Sequence, residues 1–247
     1  MSVRKAEPDL VAYVTQDDVQ TVVKRIPEEF RKRLRDVFIG WRSRGVRRLG
    51  SVRTRGRRDI DLYAVLPYRL SLGRFICRGQ TAAEFGAPGR GQWPPWAVRR
   101  YLLYDVLLHE LGHLQIIHPN STNWKRKYAS CPLANEFAAT WRRRLWAQPF
   151  SHPDPVHNPP EPDELSLIPL WERLTKHQRF RLVDLAIRAP HPTLPDLAEF
   201  GNVSDSQRGF LSRALCYDSG VSNTALEACR EFRADGGTTA DCADGAD

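Results

Sequence analysis

Apolar positions in the first forty residues recur at helical spacing. Val19, Val22, Val23, Ile26, Phe30, Leu34 and Phe38 fall every three or four residues, which predicts helix over 16–37, with a break or a restart at Pro27. The period then shortens. Val37 to Trp41, Arg48 to Thr54 and Ile60 to Leu66 are short β-like runs, and the last, Ile-Asp-Leu-Tyr-Ala-Val-Leu, has the aromatic and β-branched content of a strand. Thr81 to Pro95 is punctuated by Gly86, Pro88, Gly89, Gly91, Pro94 and Pro95 and reads as loop.

A long helix is expected from about Trp96 to His118. Pro94 and Pro95 sit at its start, where a missing N–H costs nothing, and Pro119 and Asn120 end it. Its centre, Tyr101 to Leu108, is apolar on nearly every side, with Asp105 the one charge, so it should be buried rather than lie on a surface. A second helix opens at Pro132 and runs through Ala134 and Phe137 to about Leu145. Gln148 to Pro162 contains six prolines and reads as a linker or an extended strap. Beyond it, Leu167, Leu170, Trp171, Leu174, Phe180, Leu182, Val183 and Ile187 give the stripes of a small helical unit. The expected organisation is a domain over 1–147, a proline-rich linker over 148–163, a helical domain over 164–233, and an acidic, aperiodic tail over 234–247 that should be disordered.

With 247 residues the chain can bury a proper core. The N-terminus has no apolar signal core and no stretch of ~18 apolar residues occurs, so no membrane association is expected. The five cysteines, Cys77, Cys131, Cys216, Cys229 and Cys242, are odd in number and none are at Cys-x-x-Cys spacing, which points to free thiols in a reduced cytoplasmic setting. The net charge of +8 is concentrated in eleven arginines between Arg31 and Arg58. A solvated basic face is the plain reading of that patch; a nucleic-acid partner, held in a salt-sensitive way, is the other.

The chemistry is concentrated at His109-Glu110-Leu111-Gly112-His113. Residues four apart on a helix lie about 40° from each other around the axis, so both imidazoles point the same way and can share one Zn²⁺. Glu110 lies about 100° from His109, beside the metal rather than on it, where it can take a proton from bound water as general base. Two histidines and a glutamate in a buried helix are expensive unless they have a task. Gly112, between the ligands, allows close packing. A catalytic zinc needs a third protein ligand. His118 is nine residues past His109, about 180° around the helix, and faces away. Glu136, flanked by small and apolar residues on the next helix, is the better candidate.

His109, Glu110 and His113, followed downstream by Asn135 and Glu136, resemble the active-site motif of the gluzincin metallopeptidases, the thermolysin-like family. The resemblance covers about Trp96 to Leu145. It implies an α+β, zincin-like metallopeptidase domain, here in a minimal version with a small helical C-terminal domain. It also implies peptide-bond hydrolysis, His109, His113 and Glu136 as zinc ligands, Glu110 as the base, and a peptide or protein substrate. Members often carry an aspartate four residues after the ligand glutamate, where this chain has Thr140. They often lay substrate along an edge strand near the active helix, a part Ile60 to Leu66 could fill. For the oxyanion partner, Tyr128, His118, His152 and His157 stay open.

Cys216 to Cys229 resembles a helix-turn-helix around Gly220, but Glu227 and Glu231 on its second helix suit phosphate contact poorly, so a plain helical hairpin is expected. The rival to a peptidase is a DNA-associated or regulatory protein whose zinc site is structural or vestigial. Between them stands a protease of DNA-bound proteins, as SprT-like proteins are. A general base at position 110 favours the enzyme, since a purely structural site has no use for one.

Overall fold

In the computed structural model the described residues are 10–41, 48–53, 58–67, 72, 80–116, 131–188 and 203–215, with the side chains of 183–188 excepted. His118, Tyr128, the Cys216 to Cys229 hairpin, the acidic tail and Arg42, Arg44, Arg47, Arg55 and Arg57 of the basic patch lie outside them.

The architecture is a mixed α+β one, and the change of period in the sequence marks its parts. Strand β1 (Leu10–Ala12) leads into helix α1 (Gln16–Lys24), which starts on a capping box: Asp18 N–H donates to the Thr15 hydroxyl, and Thr15 N–H donates to the Asp18 carboxylate. Pro27 ends that helix and starts the short α2 (Glu28–Arg31), as its missing N–H and fixed φ require. Strands β2 (Val37–Trp41), β3 (Gly50–Arg53) and β4 (Asp59–Pro67) follow, where the β-like runs predict them. β4 is central. It pairs in parallel with β2 on one side, and antiparallel with β3 and then β1 on the other. The strand expected as a substrate-bearing edge, Ile60 to Leu66, is therefore interior to the sheet, and Ile60, Leu62, Ala64, Val65 and Leu66 are wholly buried. Its near-continuous apolar run already fits a strand covered on both faces.

The sheet packs on the long buried helix. That helix is α3 (Pro95–Tyr101), a π-helical turn (Leu102–Leu107), and α4 (Leu108–Ile116), with Pro95 in its first turn. All six residues of the π turn are buried, in keeping with their apolar circumference. A π turn shifts the faces that follow it relative to a continuous α-helix, and such turns are frequent at functional sites. Helix α5 (Cys131–Ala147) packs on α4 and presents Ala134, Ala138, Trp141, Arg142 and Leu145 inward. Phe30 of α2 sits edge-on to Trp141, ring centroids 5.1 Å apart.

The proline-rich segment, expected as a linker or an extended strap, is packed down as a strap. Pro155, Val156 and His157 are buried, and α6 (Pro162–Ser166), α7 (Ile168–Arg173), α8 (Lys176–Arg188) and α9 (Asp205–Leu215) continue the same core. Trp96 of α3 packs edge-on to Trp171 and to Phe210. No break in the core separates 1–147 from 164–215 among the described residues. Two adjacent arginines explain the difference from the linker expectation. Arg100 is wholly buried, and all five of its N–H groups are answered: Nη1 by Phe85 O at 2.9 Å and Glu164, Nη2 by Pro155 O at 2.8 Å and Glu164 at 2.9 Å, Nε by Val156 O at 3.3 Å. Arg99 pairs with Asp18 of α1 and, at 2.6 Å, with Asp154 of the strap. His157 Nε2 lies 3.0 Å from Asp18, and the Tyr104 hydroxyl lies 3.2 Å from His157 Nδ1. Once buried, these charges need partners, and the partners come from the strap and α6. No helix among the described residues is long and apolar enough to cross a membrane.

Gly86 ends the short turn Ala82–Phe85 at φ 76°, and a Cβ there would overlap the Glu164 carboxylate. Gly86→Ala should therefore destabilise by roughly 3–5 kcal/mol, the scale of a broken buried ion pair, in urea unfolding. Gly89→Ala, with nothing within 4 Å of its Cβ, should stay near wild type. Equal midpoints for the two variants would refute this account of the strap.

Burial alone would raise the Asp18 carboxyl, but Arg99 beside it, with hydrogen bonds from His157, Arg99 and Thr15 N–H, holds it well below the usual carboxylate range. A carboxyl depressed in the folded state contributes stability above its unfolded pKa and loses it as pH falls further. Glu164 acts in the opposite sense, because burial outweighs Arg100 and raises it, so its contribution is lost as pH rises through the folded value. Stability should thus fall as pH drops below about 4. Asp18→Asn should be less stable at neutral pH and flatten that decline, as denaturant midpoints measured across the acid range will show.

Candidate metal centre

His109 and His113 come to the same side of α4 because they are four residues apart, and both are buried. Their Nε2 atoms are 3.0 Å apart with the rings nearly perpendicular. Cys131, the first residue of α5, brings its Sγ to 3.8 Å from His113 Nε2. The three donor atoms all lie within 4.8 Å of one another. Tetrahedral zinc with ordinary bond lengths separates two nitrogen ligands by about 3.3 Å, and a nitrogen from a sulfur by about 3.6 Å. The His109–His113 and His113–Cys131 separations fall within a few tenths of an ångström of those edges. Imidazole with thiolate is also a donor chemistry zinc accepts, so the residues present fit the metal.

Glu136 does not join them. It is exposed on the outer side of α5. At about 100° per residue it lies about 200° from Ala134, whose side faces α4, whereas Cys131 falls within the inward stripe. The small and apolar neighbours that made Glu136 attractive, Ala134 and Ala138, are inward for the same reason that Glu136 is outward. Asn135 and Thr140 are half-buried on the same helix.

Gly112 fixes how closely the two helices approach. A Cβ there would stand 3.0 Å from Ala134 Cα and 3.1 Å from Phe137 Cβ, so glycine is what lets the α5 backbone come down onto α4 beside the histidines. Further along the same interface Asp105, in the π turn four residues before His109, accepts from Arg142 Nη1 and from Gln80 Nε2, both at 2.8 Å. Arg142 Nη2 reaches on to Glu84 at 2.7 Å. At the far end of α4, Arg33 Nη1 donates to Gln115 O at 2.8 Å, placing a cation at the helix C-terminus where the dipole favours it. Arg53 pairs with Asp61 and lies over the Phe38 ring. Arg35 pairs with Asp36, so three arginines of the basic patch have partners within the fold.

Glu110 is buried under β3. A Cβ on Gly50 would come within 2.7 Å of Glu110 Cγ and 3.0 Å of Val106 Cγ1, so a bare backbone at position 50 makes room for the carboxylate-bearing side chain. Sequence reasoning missed both Gly50 and Cys131. The inward stripe of α5, extended back by one turn, was a usable signal for Cys131; Gly50 had none, because its neighbour is sixty residues away in sequence.

His152 and His157, two of the oxyanion candidates, belong to a different cluster. Asp18, Asp154 and His157 also converge within 4.8 Å. There, however, the Arg99 guanidinium pairs with both carboxylates and already supplies the cation.

Gly50→Ala should cost about 1–3 kcal/mol through overpacking against Glu110 and Val106. Gly40→Ala, with nothing within 4 Å of its Cβ, serves as the control in the same thermal unfolding series. Indistinguishable melting temperatures would mean that β3 does not press on Glu110 in solution. Set beside known proteins, the chain matches no family model, no curated protein and no solved structure.

Proposed function

We propose that this protein is a zinc-dependent metallopeptidase. The observation that carries the proposal is the convergence of the His109 and His113 imidazoles on one side of a buried helix, with Glu110 next to them in the same turn. His109 and His113 would hold the ion through Nε2. Zinc in such a setting lowers the pKa of its water and polarises a scissile carbonyl. Glu110, about 100° around the axis from His109, is offset from the nitrogen donors. Its carboxylate is suited to accept the proton of the attacking water on one oxygen and to release it to the leaving amine nitrogen. Burial beneath β3 keeps that side chain in one place, which general-base catalysis requires of its geometry. β3 pairs, among the described strands, with β4 alone, and it is the strand beside Glu110. It supports a reading in which an extended peptide is laid near β3 rather than along β4.

Glu110→Gln separates catalysis from binding, because it keeps size and hydrogen bonding while removing the proton acceptor. Metal content and the unfolding midpoint should match wild type, while cleavage of an unfolded protein such as casein should fall by ~10²–10⁴-fold. A wild-type cleavage that survives Glu110→Gln unchanged would sink the mechanism.

A further inference from the structure

We infer that Cys131 is the third protein ligand of this centre, making it a His-His-Cys site in place of the His-His-Glu set that the motif alone suggests. The inference rests on the metal reading above and adds the identity of the ligand. Three observations carry it. The Cys131 Sγ stands 3.8 Å from His113 Nε2, close to the nitrogen–sulfur edge of a zinc tetrahedron, about 3.6 Å. All three donor atoms are mutually within 4.8 Å without any movement of the chain, and two of the three residues are buried. The phase of α5 then makes Cys131 and Glu136 alternatives: five residues apart, they lie about 140° from each other around the axis, so one helix orientation cannot turn both toward the histidines. Arg142, which is held by Asp105 of the π turn at one end of the interface, and Gly112, which seats Ala134 at the other, fix that orientation with Cys131 inward.

A thiolate ligand changes what the site accepts. Sulfur with two imidazoles selects borderline and soft ions such as zinc, cobalt and copper(I) over magnesium, calcium or manganese. Coordination would also bind the proton balance to the metal, since the thiol must lose its proton as the ion enters.

Cobalt(II) loading of the full-length chain tests the assignment without any substrate. The wild type and Glu136→Gln should both show the sulfur-to-cobalt charge-transfer absorption in the near ultraviolet. Cys131→Ser should lose it, and should bind zinc more weakly by more than the roughly 10–100-fold that loss of an outer-shell partner costs. A second measurement keeps the test sound if Cys131→Ser folds poorly: in the wild type, zinc should shield Cys131 from iodoacetamide, mapped by mass spectrometry, and a chelator should expose it. Persistence of the charge-transfer band in Cys131→Ser would assign the sulfur to another cysteine and overturn the inference. So would loss of metal in Glu136→Gln with normal binding by Cys131→Ser; in both cases the metal reading itself would stand. A wild-type chain that takes up neither cobalt nor zinc overturns the metal reading and the ligand assignment together.

Discussion

The structure depends on one constraint: helix 95–116 is buried along nearly its whole length and yet carries charge. Arg99, Arg100, Asp105, His109, Glu110 and His113 are all buried. A charge or polar group taken out of water must be answered by partners of good geometry or it is strongly destabilising. Four of the elements around this helix supply such an answer. Asp18 comes from α1, Asp154 from the strap, Glu164 from α6, and Arg142 from α5. α1, α5, the strap and α6 are thereby held to one spine by bonds that are specific as well as by apolar burial, which is not.

The same spine positions the chemistry. The π turn runs directly into α4, which carries His109, and sets the faces of that helix. Asp105 within that turn is clamped from two sides, so the turn is held in place. Gly112 admits the α5 backbone, and with it Cys131, to the histidine side; Gly50 admits Glu110 beneath β3. Two glycines therefore bound the site, each at a point where a Cβ would meet another element. At Arg99, Arg100 and Arg142 arginine serves as a cross-link with several bonds. Arg100 answers three segments at once, the turn at Phe85, the strap and α6, an arrangement its planar five-donor fork permits and a lysine ammonium could not reproduce.

The basic patch changes meaning in this light. Read as a run of charge, Arg31 to Arg58 suggests a solvated face or an acidic partner. In the fold, Arg33 caps the C-terminus of α4, and Arg53 bridges β3 to β4 through Asp61 while lying over Phe38. These two members of the charge run thus sit on different elements and take up separate tasks.

By itself the sequence determined whatever rests on local periodicity. The β-like runs at 37–41 and 60–66, the restart at Pro27, the all-round apolar stretch 101–108 and the four-residue spacing of His109 and His113 each rest on local composition or backbone geometry, and each was legible. The inward stripe of α5 was legible in the same way, and it places Glu136 outward; the Glu136 expectation followed the composition of its neighbours and overlooked their phase. Only the tertiary structure decided what depends on contacts between distant segments. It made β4 central, because strand order is a matter of pairing and no local pattern encodes it. It decided between linker and strap for the proline-rich stretch, because the decisive partner of its backbone carbonyls is Arg100, 55 residues away. It set Cys131 beside His113, because the distance between two helices is fixed by the glycine at their crossing and by the ion pair along their interface, and neither can be read from either helix alone.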